Sequence, residues 1–177
     1  MAFHSRRQIS KRFPKLGMSE RHLHSTNPAP ATTIYNVAAD SGKNNNSDPP
    51  IIHIAAAIIT NSDGQMLVVR KRNSHAFIQP GGKINPGETP LEALKRELHE
   101  ELRCKPIRTQ FRGDFSAPAL NEPGHIVQAA IYHVDIDGPV TPAAEIEQIA
   151  WIDPAHPGNC PLALLTRDFV LPLARLG

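Results

Sequence analysis

One helix constrains this chain more than any other feature. Thr89-Pro90-Leu91-Glu92 supplies a capping threonine, a proline at the first helical position and a glutamate placed to complete a capping box. From there Leu91, Leu94, Leu98 and Leu102 recur at the helical period, a narrow apolar stripe that must be buried against a core. The flanking segments supply what it packs on. Ile51–Thr60 is an apolar, β-branched run, Asn61-Ser62-Asp63-Gly64 is a turn signal, and Gln65–Val69 follows as a second strand, which predicts a hairpin that Arg70-Lys71-Arg72 carries into polar surroundings. Phe77–Gln79 reads as a short third strand, broken by Pro80-Gly81-Gly82. Ile107–Phe115, Ile126–Asp135 and Ile146–Ile152 alternate enough to be strands. Pro161–Leu173 reads as a closing helix, with Leu162, Leu165, Phe169 and Leu173 on one side and Pro172 expected to end or kink it. Hairpins mixed with two helices predict an α/β sandwich around a mixed sheet.

The pattern is confined to residues 49–177. Residues 1–48 carry seven Lys/Arg against three Asp/Glu, whereas residues 49–177 carry twelve against fourteen. The first segment lacks any sustained apolar period and ends in the polar run Ser41–Asp48. It buries too little apolar surface to offset its ordering entropy, so a disordered basic tail is expected over 1–48 and one domain over 49–177. The start, rich in Arg and Ser and nearly free of acids, resembles an organellar transit peptide; a solvated tail, or a true start at Met18, are the alternatives. A net charge of +2 with 20% charged residues argues for neither a nucleic-acid nor a membrane partner. No apolar run approaches the ~20 residues of a spanning helix. Cys104 and Cys160 stand far apart with no C-x-x-C, which excludes a disulfide framework and a cysteine zinc ribbon and leaves a reduced, cytoplasmic compartment as the expectation.

The same helix carries Glu97, Glu100 and Glu101 on the surface left by the leucines. An acidic run is ordinarily a solvated face. Here Glu97 stands at i,i+3 and i,i+4 from the other two, spacings at which like charges repel by about 0.2–0.5 kcal/mol per pair. Glu100 and Glu101 also occupy the last turn, where the macrodipole disfavours negative charge by a further ~0.3–1 kcal/mol each. Acids kept where a helix disfavours them mark a site, and converging carboxylates suit a hard divalent cation such as Mg²⁺. In the preceding loop Gly81, Gly82 and Gly87, bracketed by Pro80 and Pro86, allow tight turns that bring backbone amides and carbonyls close to a ligand, and Lys83 adds a cation. A glycine loop feeding an acidic helix fits a metal-bridged phosphate.

From Gly82 to Cys104 the chain reads GKINPGETPLEALKRELHEELRC. This resembles the box of the Nudix hydrolases, MutT-like members included: Gly, five residues, Glu, seven residues, then Arg-Glu-aliphatic-x-Glu-Glu-x-Gly-aliphatic. Gly82, Glu88, Arg96, Glu97, Leu98, Glu100 and Glu101 match in register. Arg103 stands where the pattern has glycine, which normally supplies a left-handed cap, and Cys104 replaces the last aliphatic residue. The resemblance implies a Nudix-type α/β/α sandwich over about 50–177. It also implies Mg²⁺-dependent hydrolysis, with Mn²⁺ as a substitute, of a diphosphate bond in a small nucleoside diphosphate-linked substrate.

By the same resemblance, Glu97 and Glu101 match metal ligands, Glu100 a residue that binds metal or relays a proton, and the Gly81 carbonyl a backbone ligand. Arg96 and Glu88 match the pair that orients the acidic cluster, while Gly82 and Lys83 fall on the substrate side. Glu145, ahead of Trp151, matches a further catalytic glutamate, with Glu147 and Glu122 as rivals. Arg70 and Lys71 match phosphate-contacting residues, the plain alternative being an exposed strand end. Asn159 matches a purine-reading asparagine or is simply a turn residue. Gln79 occupies a position where relatives acting on oxidised guanine often carry an aromatic residue. Signatures of the dinucleoside polyphosphate, NADH, coenzyme A and ADP-ribose subfamilies are absent, which leaves a (deoxy)nucleoside triphosphate or related nucleotide as the expected substrate. A non-catalytic nucleotide-binding module is the first alternative, against which the intact Glu97, Glu100 and Glu101 stand. An isomerase of the isopentenyl diphosphate kind is the second, and its additional Cys and Glu motifs are missing. The exact substrate, the general base and the oligomeric state stay open.

Overall fold

The computed structural model describes residues 48–176. The tail and targeting expectations for residues 1–47 lie outside the described residues. Strand β1 (Ile51–Ile58) pairs in parallel with β5 (Ile126–Asp137) and antiparallel with β3 (Gly81–Lys83), and β4 (Lys105–Pro118) lies antiparallel on β5. The result is a mixed four-stranded sheet in the order β3-β1-β5-β4. Strands β2 (Met66–Lys71) and β6 (Ile146–Ile152) form a separate antiparallel pair.

The predicted hairpin is therefore corrected. Asn61 and Gln65 close the turn, and Leu67 N–H reaches Ile59 O at 2.9 Å, but beyond that contact the two strands part into different sheets. Splitting them gives each strand two buried faces. In β1 and just beyond it, Ala55, Ala57 and Ile59 meet Ala93, Leu94, Leu98 and Leu102 of helix α1 (Pro90–Leu102), while Ala56 and Ile58 meet Leu165, Val170 and Leu171 near the C-terminus. Leu67 and Val69 of β2 face α1, and Met66 and Val68 face the other core. Helical layers thus cover opposite faces of the strands, an α/β/α sandwich.

Phe77–Gln79 makes single bridges rather than the expected strand. Ile78 exchanges backbone hydrogen bonds with Val69 at 2.8 Å, and Phe77 bonds to Pro161 and Ala163. The strand lies instead at Gly81–Lys83, where a break was expected. Gly81 has φ +136°, and a Cβ there would stand 2.2 Å from the Ala55 carbonyl oxygen, so only glycine lets the loop lie so close on β1.

The closing helix is shorter than expected. Pro161–Ala163 is not helical; a widened π turn covers Thr166–Val170, and α2 (Leu171–Ala174) follows. Pro172 sits inside α2 rather than ending the helix. Because proline cannot donate, the ladder widens just before it, with Leu171 N–H reaching Thr166 O.

The start of α1 carries the full capping box, Thr89 accepting from Glu92 N–H while Glu92 accepts from Thr89 N–H. At its end Arg103 takes the left-handed conformation (φ 56°, ψ 20°) that glycine supplies in the family pattern. The backbone keeps the cap and the side chain bears its strain. Arg103→Gly is accordingly expected to stabilise the protein by roughly 0.5–1 kcal/mol with turnover unchanged, as read from denaturant unfolding.

Candidate active site

Glu101 anchors the site. It lies three residues beyond Leu98 and seven beyond Leu94, so the helical period places it on the leucine side, and its exposure is 0%. The expectation that Glu101 shares an outer face with Glu97 and Glu100 is therefore corrected. Its Oε2 accepts the Gly81 N–H at 2.9 Å. Its Oε1 lies 2.8 Å from Lys71 Nζ yet receives no well-directed hydrogen bond. Burial pushes the Glu101 carboxyl above its ordinary range, against the downward pull of Lys71 and the Gly81 N–H. Burial pulls the Lys71 ammonium down, but Glu101 and Glu145 together outweigh it and hold its pKa above the usual value.

Strand alternation decides which basic residue reaches this cluster. Leu67 and Val69 face α1, and Lys71 continues their parity. It spans Glu101 at 2.8 Å and Glu145 at 2.9 Å. Arg70, the other residue matched to a phosphate contact, points the opposite way. There it pairs with Glu147 at 2.8 Å and Gln148 at 3.0 Å across the β2–β6 ladder, and it does not border the cavity described below.

Glu145 is delivered by the loop between β5 and β6. Thr141 N–H bonds to Leu102 O at 2.9 Å and Ala143 N–H to Glu101 O at 2.8 Å, tying that loop to the end of α1. Arg72 holds the other side through its N–H to Glu145 O and its guanidinium to Ala144 O. Between these ties Ala144 adopts φ 50°, an unfavourable conformation for a residue with a Cβ, directly before Glu145. The Lys71 hydrogen bond holds the Glu145 carboxyl below its ordinary range, against a smaller upward push from burial.

Glu97 is positioned from the helix itself. Arg96 Nη1 donates to Glu97 Oε1 at 2.8 Å, while its Nε and Nη2 grip both Glu88 oxygens at 2.7 and 3.0 Å. Nη2 also donates to Lys83 O, so one guanidinium ties the glycine loop to the helix. The Arg96 bonds lower the Glu88 carboxyl to about 2. Glu92, the alternative partner for Arg96, is engaged in the cap. Gly82 completes the seat: a Cβ there would lie 2.4 Å from the Glu97 carboxylate.

One oxygen from each of Glu97, Glu101 and Glu145 lies within 4.8 Å of the others. Glu100 stands apart, its side chain 52% exposed and 3.6 Å from Arg96. Of the rival glutamates, Glu147 pairs with Arg70, and Glu122 pairs with Lys83 at 3.1 Å. Glu97 and Glu145 border a cavity of about 390 Å³ walled by Ile52, Ile54, Ala56, Val127 and Leu165, with Lys71, Gly81, Gly82 and Lys83 also on its lining. Asn159 is exposed and does not line it, whereas Asn121 does. Three hard oxygen donors, a buried Oε1 without a directed bond, and a glycine seat that any Cβ would fill together fit a hard divalent cation.

These features define a class of α/β/α sandwich proteins in which a glycine loop and an acidic helix meet at one cavity. The chain belongs to the Nudix family, whose model, described as NUDIX domain, matches residues 51–169. An 8-oxo-dGTP diphosphatase of Haemophilus influenzae is 48% identical over 59 residues, which cover 31% of this chain and 43% of that protein. An RNA pyrophosphohydrolase of Pseudomonas putida is 53% identical over 45 residues, covering 25% of this chain and 28% of that protein. The chain thus spans less than half the length of these curated relatives. Among solved structures, the MutT protein from Methanosarcina mazei Go1 is similar at a TM-score of 0.62 and 26% identity, over 73% of this chain and 96% of that one.

Proposed function

We propose that this protein is a Mg²⁺-dependent pyrophosphohydrolase that cleaves a diphosphate bond in a small nucleotide, most simply a (deoxy)nucleoside triphosphate. The observation that carries this reading is the convergence of Glu97, Glu101 and Glu145 around the underbonded Glu101 Oε1, at the edge of a cavity of nucleotide size. Those three carboxylates are the proposed holders of the ion, joined by the Gly81 carbonyl that the family resemblance suggests. When bound, Mg²⁺ supplies neutralisation of the diphosphate charge and activation of water. The similarity to a Haemophilus 8-oxo-dGTP diphosphatase and a Pseudomonas RNA pyrophosphohydrolase supports the same bond class.

The chain's own residues supply positioning and proton transfer. Arg96, locked by Glu88, fixes Glu97 and the glycine loop together. Lys71 offsets the negative charge of Glu101 and Glu145 and keeps Glu145 ionised. Glu145, 47% exposed where Glu101 is sealed, is our choice for the base that takes a proton from the attacking water. Glu100, matched by resemblance to a metal or proton-relay residue, is too far out for first choice and remains the second candidate. Lys83, exposed at the cavity edge, is placed to meet phosphate oxygens once it leaves Glu122. Water adds to one phosphorus, the bridging oxygen leaves on the other, and a nucleoside triphosphate yields a monophosphate and pyrophosphate.

A panel of nucleoside triphosphates with Mg²⁺ tests this. Release of monophosphate and pyrophosphate is expected for at least one member; binding without turnover would instead support the non-catalytic module. Among the described residues no helix is long and apolar enough to cross a membrane; a reduced, cytoplasmic setting is part of the same proposal. Among the described residues, both hydrophobic cores are built from positions between 54 and 174, and residues 1–48 carry no sustained apolar period of their own. A truncated chain starting at Ser47 is therefore expected to keep folding and turnover nearly unchanged, as read from thermal unfolding and product release. Insolubility or inactivity of that chain would show that residues 1–46 contribute to the domain.

A further inference from the structure

The chemistry above leaves one buried polar pair unused. Gln79, 3% exposed, and Thr166, fully buried, meet at the cavity wall although they lie 87 positions apart in sequence. Thr166 opens the π turn, a feature frequent at functional sites, and Gln79 precedes the glycine loop. The backbone around Gln79 is pinned on both sides, by the Ile78–Val69 exchange and by Ala57 N–H to Pro80 O at 2.9 Å. Thr166 Oγ1 donates to Gln79 Oε1 at 2.6 Å. That length belongs to O–H···O contacts, which centre at about 2.7–2.8 Å, rather than to N–H···O contacts near 2.9–3.0 Å. The amide oxygen therefore faces Thr166 and the amide nitrogen faces away. Nε2 has no hydrogen-bond partner among the described residues, and Gln79 lines the cavity together with the apolar Ile54, Ala56, Val127 and Leu165.

Such a side chain is a single-purpose reader. A glutamine with both ends free can present an acceptor and a donor to an adenine edge. Here Thr166 turns the acceptor toward the π turn, so the N–H donors are the end left for a base. An exocyclic carbonyl, O6 of a 6-oxopurine or O4 of a 4-oxopyrimidine, accepts from them. An exocyclic amine would set donor against donor and leave both without partners in an apolar pocket.

Resting on the nucleotide reading above, we propose that Gln79, oriented by Thr166, makes this site select bases with a carbonyl at purine position 6 or pyrimidine position 4, guanine and uracil or thymine, over adenine and cytosine, which carry an amine there. Gln79 touches the base, and Thr166 is a positioning residue that acts through it.

The test compares kcat/KM for GTP, UTP, ATP and CTP with Mg²⁺, using the full chain, Gln79→Glu and Thr166→Val. Thermal shifts with GMP, UMP, AMP and CMP are measured in parallel, because they do not depend on hydrolysis. The wild type is expected to favour the oxo bases about tenfold or more, in both readouts. Gln79→Glu, which removes the donors, should abolish or invert the preference. Thr166→Val keeps volume and shape but frees the amide to turn, and should collapse the ratio in both readouts. A Thr166→Val protein with an unchanged ratio would reduce that residue to packing. Hydrolysis by the wild type with equal ratios for all four bases would overturn the base proposal and leave the pyrophosphohydrolase reading standing. Base-selective thermal shifts without hydrolysis would overturn that reading and leave the base proposal standing.

Discussion

Glu101→Gln is expected to lower turnover about a hundredfold or more and to weaken Mn²⁺ binding by the nucleotide-free protein, while the chain still folds. The substitution preserves shape and helix propensity, and the amide oxygen can still accept the Gly81 N–H that Glu101 Oε2 now receives at 2.9 Å. What it removes is the buried charge that completes the group with Glu97 and Glu145. Its effect on metal-free stability separates two pictures of the helix. On a solvated face, the loss of repulsion with Glu97 and of an unfavourable dipole contact would stabilise the protein by up to ~1 kcal/mol. In the buried position found here, Lys71 loses one of its two carboxylates, so a loss of about 1–2 kcal/mol is expected, smaller than for a wholly buried pair because Glu145 remains. Glu92→Gln on the same helix is the control. Gln can still accept from Thr89 N–H, so the cap survives and turnover should stay close to wild type. Near-normal turnover in Glu101→Gln would return the acidic helix to ordinary surface.

Local rules made α1 readable in advance. Thr89, Pro90 and Glu92 form the start they spell, and Leu94, Leu98 and Leu102 are fully buried, although Leu91 at the first turn is only partly so. The burial of Glu101 is legible too, because its spacing to Leu94 and Leu98 outweighs the polarity of its side chain. The same holds for Lys71 against Arg70, since parity from Leu67 and Val69 points Lys71 to the α1 side. Other features had no local signal. Three residues with two glycines, Gly81–Lys83, carry no alternation, and their strand exists because β1 offers an edge on which glycine can lie. The turn at 61–64 predicts a reversal but not that its strands join different sheets, which depends on β5 and β6 far downstream. Choosing Glu145 over Glu147 and Glu122 likewise depends on a loop tied to the end of α1. The Gln79–Thr166 contact joins two segments that only the finished fold brings together.

Metal removal should have the largest effect of all. Three carboxylates within 4.8 Å, offset by Lys71 and by an Arg96 guanidinium that is shared with Glu88, leave excess negative charge beside any bound diphosphate. Without a divalent ion that charge repels the substrate and nothing activates water, so hydrolysis should fall to background. Mg²⁺ and Mn²⁺ both prefer oxygen ligands, and either should restore it. Ca²⁺, with its larger and looser coordination, should restore it less well. The most direct measurement follows monophosphate and pyrophosphate release from one hydrolysed nucleoside triphosphate, first in excess chelator and then after Mg²⁺ is added beyond the chelator's capacity. The expected result is no product above background in chelator and full recovery with Mg²⁺ for the wild type, but not for Glu97→Gln or Glu101→Gln. Undiminished release in chelator, or equal recovery by those two variants, would contradict a metal site at Glu97, Glu101 and Glu145.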